Sequence, residues 1–187
     1  ESDLKQTETP HKVMRVSDYL TSPALFAARR PYVLNLARSY AYQGAGYYAA
    51  LLAEARGHRV SPTVQTMVEL SRKDLYAHAL PDLNARLTDT LGKGVAPVEE
   101  VFIAFSKTPQ TGYGRLAREV SDWFRTPALE LEISHERTPR ITRIRPVPLH
   151  KMSAEQRAFF LEALAGYTRS AVRSPKARAV AKWSLAV

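Results

Sequence analysis

The distribution of apolar and polar positions divides the chain into alternating strand-like and helix-like segments. "YVLNLA" (Tyr32 to Ala37) is apolar on both sides except at Asn35, the pattern of a buried strand. After a polar-aromatic loop, Tyr48, Leu51, Leu52 and Ala55 recur at i, i+3, i+4 and i+7, which predicts an amphipathic helix with those residues inward. Gly57 stands where a C′ glycine belongs, so the helix is expected to end at about Arg56. "HRVSPTV" reads as a second short strand. Together these segments predict a βαβ unit, parallel and right-handed.

Further along, Met67, Leu70 and Leu75 fit one helix and Leu80, Leu83, Leu87 and Leu91 another, with Pro81 tolerated in its first turn. The continuous apolar run Val101 to Phe105 predicts a central buried strand. Leu116, Val120, Trp123 and Phe124 have the spacing of a packed helix, which Pro127 stops. "LELEI" (Leu129 to Ile133) alternates without a fault, so Glu130 and Glu132 share one face. "SHERTP" reads as a turn and "RITRIRPV" as a hairpin partner whose arginines offset those glutamates. Ser153 and Gln156 form a capping box ahead of a final helix. Residues 1–12 are polar and expected to be loose.

These elements predict an α/β (or α+β) fold in three layers. A small, largely parallel sheet from the βαβ unit is joined by an antiparallel hairpin, and helices pack on the faces. The 187 residues suit one domain with a tail. The basic, small-residue stretch "TRSAVRSPKARAVAK" followed by "WSLAV" reads as a linker running into the start of another domain.

Composition narrows the function classes. With no cysteine, disulfides, thiolate-zinc sites and a Cys nucleophile are all excluded, and a cytoplasmic location is expected. No apolar run approaches the roughly 18 to 20 residues of a membrane span. The net charge of +9 comes from 19 Arg and 8 Lys against 18 acidic residues. This balance suits an anionic partner, and arginine suits bidentate pairing with carboxylate or phosphate.

"GAGYYA" (Gly44 to Ala49) spells a G-x-G-x-x-A pattern, which raises dinucleotide binding. Against it, six residues separate the strand from the first glycine, and no acidic residue follows in "HRVSPTV" to hold a ribose hydroxyl. The loop's own residues suit recognition better. Asn35, Arg38, Ser39, Tyr40, Tyr42, Gln43, Gly46, Tyr47 and Tyr48 place a cation, hydroxyls, amides and aromatic faces at a strand's carboxyl end. They are read as a substrate or domain-contact loop. Arg140, Arg143 and Arg145 form a second candidate, an anion patch. The five histidines (His11, His58, His78, His135, His150) lack metal-ligand spacing, and no nucleophile or phosphate-loop motif is present, so no catalytic or metal residues are assigned.

The stretch "NLARSYAYQGAGYYAALLAEARGHRVSPTV" resembles the RimK-like ATP-grasp N-terminal domain family. The resemblance rests on Asn35-Leu36, on Arg38 to Gln43, on Gly46 to Tyr48 and on Ala55 to Val60. It extends through "VFIAFSKTPQTGYGRLAREVSDWFRTPALELEI", where the family often has Phe-Gly in place of Phe105-Ser106. The resemblance implies that residues 32–168 form this domain, after an N-terminal extension at 1–31. Residues 169–187 would then be the linker and the start of a C-terminal ligase domain. By that resemblance the parent protein is an ATP-dependent carboxylate–amine ligase using ATP and Mg. This chain would carry no cofactor and no catalysis, but would dock on the ligase domain and help position an amino-acid or peptide substrate. Two alternatives stay open: a basic RNA-binding module, and a self-contained nucleotide-binding Rossmann-like domain.

Overall fold

The computed structural model describes residues 3–22 and 31–170. Strands β1 (Tyr32–Leu34) and β2 (Arg59–Ser61) pair in parallel, with Val33 opposite Val60. Helix α2 (Ala45–Ala55) connects them and Gly57 closes it at φ 69°, as the C′ glycine predicts. Strand β2 is shorter than the strand expected over "HRVSPTV": Thr63 already caps α3 (Val64–Ser71), its side chain accepting from the Thr66 N–H.

The remaining strands form a separate antiparallel sheet in the order β3 (Glu100–Ala104), β4 (Ala128–Ser134), β5 (Arg140–Pro146). The mixed α/β class stands. The parallel pair from the βαβ unit and the antiparallel hairpin both form, in separate sheets; the strand at Val101–Phe105, expected to be central, is corrected to an edge position, with β4 in the middle. Strand β3 reads as central because both its faces are covered. Val101 and Ile103 join Leu129, Leu131, Ile133, Ile141 and Ile144, with Tyr76 of α4 (Lys73–Tyr76), under α5 (Leu80–Gly92) and α6 (Gly114–Trp123). Phe102 and Ala104 instead meet Phe160, Ala163 and Leu164 of α7 (Ala154–Ser170). Each such buried aliphatic or aromatic side chain contributes about 1.5 to 3 kcal/mol.

The β4–β5 hairpin sets its arginines against the glutamates as expected, with Glu130 opposite Arg145 and Glu132 opposite Arg143. The capping box at α7 also forms: Ser153 N–H donates to Gln156 Oε1 at 3.0 Å and Gln156 N–H to Ser153 Oγ at 3.1 Å.

Helix α2 departs from its expected orientation. Its buried side is Gly46, Ala49, Ala50 and Ala53, while Tyr48 and Leu51 face outward. Small side chains let this helix lie close to β1, β2 and α1 (Val16–Thr21), whose Tyr19 joins the same cluster. Trp123 is likewise largely exposed, its ring edge to face with His78, while Leu116, Val120 and Phe124 are buried as expected. Residues 3–12 are not loose. Leu4 is buried against α7, Arg157 donates to the Asp3 carbonyl and the Glu8 carboxylate, and the Gln6 side chain spans His11 and Val13.

Candidate functional site

The loop that follows β1 is tied down by Asn35. Its amide Nδ2 donates to Gly46 O at 2.8 Å, in the first turn of α2, and its Oδ1 accepts from Ala37 N–H at 3.2 Å. Tyr40 Oη donates to the Asn35 carbonyl at 2.5 Å. Burial holds that phenol protonated, well above its ordinary pKa. Ser39 Oγ accepts from Ala41 N–H, and Gln43 turns the chain into α2 at φ 61°. Gly46 sits where a Cβ would lie 2.3 Å from the Ser39 carbonyl oxygen and 2.7 Å from Ala37 Cβ. Asn35, Ser39, Tyr40 and Gly46 are therefore the loop's framework. The second glycine of "GAGYYA" is needed for loop-to-helix contact within the chain, a role the dinucleotide pattern does not describe.

The rest of the loop splits into two surfaces. On one, Tyr42 (69% exposed), Tyr47 and Tyr48 (45% exposed) stack edge to face, with ring centroids 5.1 Å and 5.8 Å apart. On the other, Arg38 reaches into a cleft of about 680 Å³ between β1, the segment from Asp3 to Tyr19, and α7. Arg38 Nε and Nη2 donate to the two Asp3 carboxylate oxygens at 2.8 Å and 2.6 Å. That hydrogen bonding holds the Asp3 carboxyl below the usual carboxylate range.

Leu34 and Leu36 line the cleft floor together with Leu4, Leu149 and Leu164. At its rim stand Lys12 and Arg15. Tyr32 and Tyr167 close one end through their hydroxyls, 2.8 Å apart, and burial followed by this hydrogen bond raises the Tyr167 pKa. Sequence reading found Arg38 and Asn35 but none of Asp3, Lys12, Arg15 or Tyr167. Long-range packing brings these four in, and no local spacing announces them.

The three arginines of the second candidate are not equivalent. Arg145 donates to the buried Glu130 carboxylate and lies 3.6 Å from Glu132, and Arg143 is 3.7 Å from Glu132. Arg140 begins β5 with its backbone opposite Ser134. The first two are thus cross-strand partners of glutamates. Among the described residues, no group of three or more His, Asp or Glu side chains converges as a metal ion requires, and no helix is long and apolar enough to cross a membrane.

The chain matches the RimK-like ATPgrasp N-terminal domain over residues 16–163. It belongs to that family. Comparison with curated proteins and with solved structures gives no match. The match to the RimK-like domain begins at α1 and ends within α7, so it spans both sheets and the Asn35–Tyr48 loop. The linker and further domain expected at residues 169–187 fall, from residue 171 on, outside the described residues.

Proposed function

We propose that this RimK-like domain is the non-catalytic accessory module of an ATP-grasp carboxylate–amine ligase, and that it holds the substrate rather than transforming it. The observation that carries the reading is the bidentate Arg38–Asp3 pair at the mouth of the cleft. The domain has a carboxylate-gripping arginine on a loop that Asn35 and Gly46 hold rigid, beside a cleft large enough for an amino acid or short peptide. The exposed tyrosine ladder on the loop's opposite side is the surface offered to the ligase domain, since aromatic side chains dominate the energetics of such contacts. The ATP and Mg sites would belong to that ligase domain, so no step of activation or transfer is assigned here.

The test uses the complete protein, following ADP release and amide formation with ATP, Mg and a panel of free amino acids and acidic dipeptides. ATP-dependent amide formation supports the ligase reading, and its absence across the panel counts against it. Arg38→Ala should raise KM for an acidic substrate while leaving kcat near its starting value. An unchanged KM would remove Arg38 from substrate positioning.

A further inference from the structure

Among the described residues, the floor of the cleft is a strand edge without a neighbouring strand. Asn35 N–H donates to Ser61 O at 2.8 Å, so the backbone groups of Val33 and the Asn35 N–H turn toward β2. By strand alternation those of Tyr32 and Leu34 turn the other way, toward the cleft their residues line. Among the described residues no backbone or side-chain group pairs with the N–H and C=O of Leu34 or Leu36. An open row of donors and acceptors is a template for an added strand, and native proteins ordinarily cover or blunt it.

The charge around this edge is mainly positive. Lys12, Arg15 and Arg38 line the cleft, and Asp3, bound to Arg38, is its one acidic lining residue among those described. The Asp3–Arg38 pair shows the geometry in which a carboxylate is accepted there. Walls of Val13, Val16 and Leu164 offer apolar contact to alternate side chains of a guest. The chain's own stretch 171–187 carries Arg173, Lys176, Arg178 and Lys182 and no acidic residue, the wrong sign for this rim.

We infer that the β1 edge binds an extended peptide bearing acidic side chains, which adds as a third strand beside β1 while its carboxylates meet Lys12, Arg15 and Arg38. This names the substrate class of the site proposed above and rests on that reading. The two nevertheless fail separately, because peptide binding is measured on the domain without ATP whereas ligase activity needs ATP.

The experiment is fluorescence anisotropy of the intact chain with a labelled eight-residue peptide alternating Glu with Val and Thr. Its comparators are the Lys-for-Glu peptide and the acidic peptide N-methylated at alternate residues. Saturable binding of the acidic peptide is expected, with Arg15→Gln and Arg38→Gln each weakening it about tenfold, the loss of one charge-assisted hydrogen bond. The Lys peptide should bind at least about tenfold more weakly, since like charges meet at the rim. Methylation on the paired side should abolish binding, and the Leu34 amide should gain hydrogen-exchange protection in the complex. Arg15 is exposed and makes no capping bond to α1, so its variant should fold as the parent does. No binding of the acidic peptide, equal binding of the Lys peptide, or equal binding of the methylated peptide would each overturn the inference. The last would leave attraction by charge alone.

Discussion

Gly46 rests directly on the carbonyl oxygen of Ser39, so closely that a Cβ at position 46 would lie 2.3 Å from it. Helix propensity alone makes Gly46→Ala stabilising by about 0.5 to 1 kcal/mol. The contact reverses the sign, because both obstacles, the Ser39 carbonyl and Ala37 Cβ, belong to or sit on the backbone and cannot swing aside. Gly46→Ala should cost about 1 to 3 kcal/mol, measured by chemical denaturation. A gain in stability would mean that the loop yields to the helix.

The turn from β3 toward α6 holds two L-residues in the left-handed region, Phe105 at φ 47° and Ser106 at φ 67°. Ala104 and Lys107 close it with reciprocal backbone hydrogen bonds of 2.8 Å and 2.9 Å. Left-handed backbone costs an L-residue about 1 to 2 kcal/mol, of which the larger unfolded-state entropy of glycine returns part. Ser106→Gly should therefore stabilise the domain by about 0.5 to 1 kcal/mol. Phe105→Gly should do the opposite, since its ring stacks on Tyr167 at 4.9 Å and packs against Phe160. Thermal unfolding of the pair tests both signs at once.

Glu130 is 6% exposed, whereas Arg145, its partner across the hairpin, is 42% exposed at its side chain. Removing the arginine strands a buried carboxylate; removing the glutamate leaves a cation that water can reach. Arg145→Ala should cost about 1 to 3 kcal/mol, and Glu130→Gln distinctly less. The double variant should recover part of the loss seen in Arg145→Ala. Equal costs for the two single variants would show that the carboxylate is solvated despite its position.

Acid sensitivity should begin near neutrality. His58 is buried with its Nδ1 3.0 Å from Tyr19 Oη, and burial, aided by the nearby Arg56 charge, lowers its pKa. The unfolded chain therefore binds the proton that the folded chain refuses. Stability is full above the ordinary histidine pKa of about 6.5 and falls as the pH drops below it. Asp3 and Glu8, held below the carboxylate range by their hydrogen bonds, lose their contribution only in more acidic solution. Denaturation midpoints at pH 8 and pH 5.5 should differ, and His58→Gln should narrow that difference. An unchanged difference in the variant would place the sensitivity elsewhere.

The hairpin was legible because its alternation has a single solution: Leu129, Leu131 and Ile133 can bury together only if Glu130 and Glu132 turn away, to where Arg143 and Arg145 wait. Gly57 and the Ser153–Gln156 box were legible because caps are local chemistry. The orientation of α2 was not. Its largest apolar residues, Tyr48 and Leu51, point outward, and the packed side consists of alanines that carry little hydrophobic signal. The cleft was legible only through Arg38. Asp3, Lys12 and Arg15 lie in a polar stretch whose burial depends on Leu4 and on the tie to Arg157, more than 140 residues away in the chain.

Helix α3 places Met67 in the cluster under α2 and Leu70, one turn later, in the cluster under the antiparallel sheet. The parallel pair β1–β2 has three residues per strand and a small alanine-lined core, whereas the antiparallel sheet has the larger one. The two halves should therefore open at different free energies, the β1–α2–β2 half first, with α3 as the coupling between them. The cleft then lies along the less stable half, so a guest strand seated on β1 would also act as a brace, slowing the first step by which the domain comes apart.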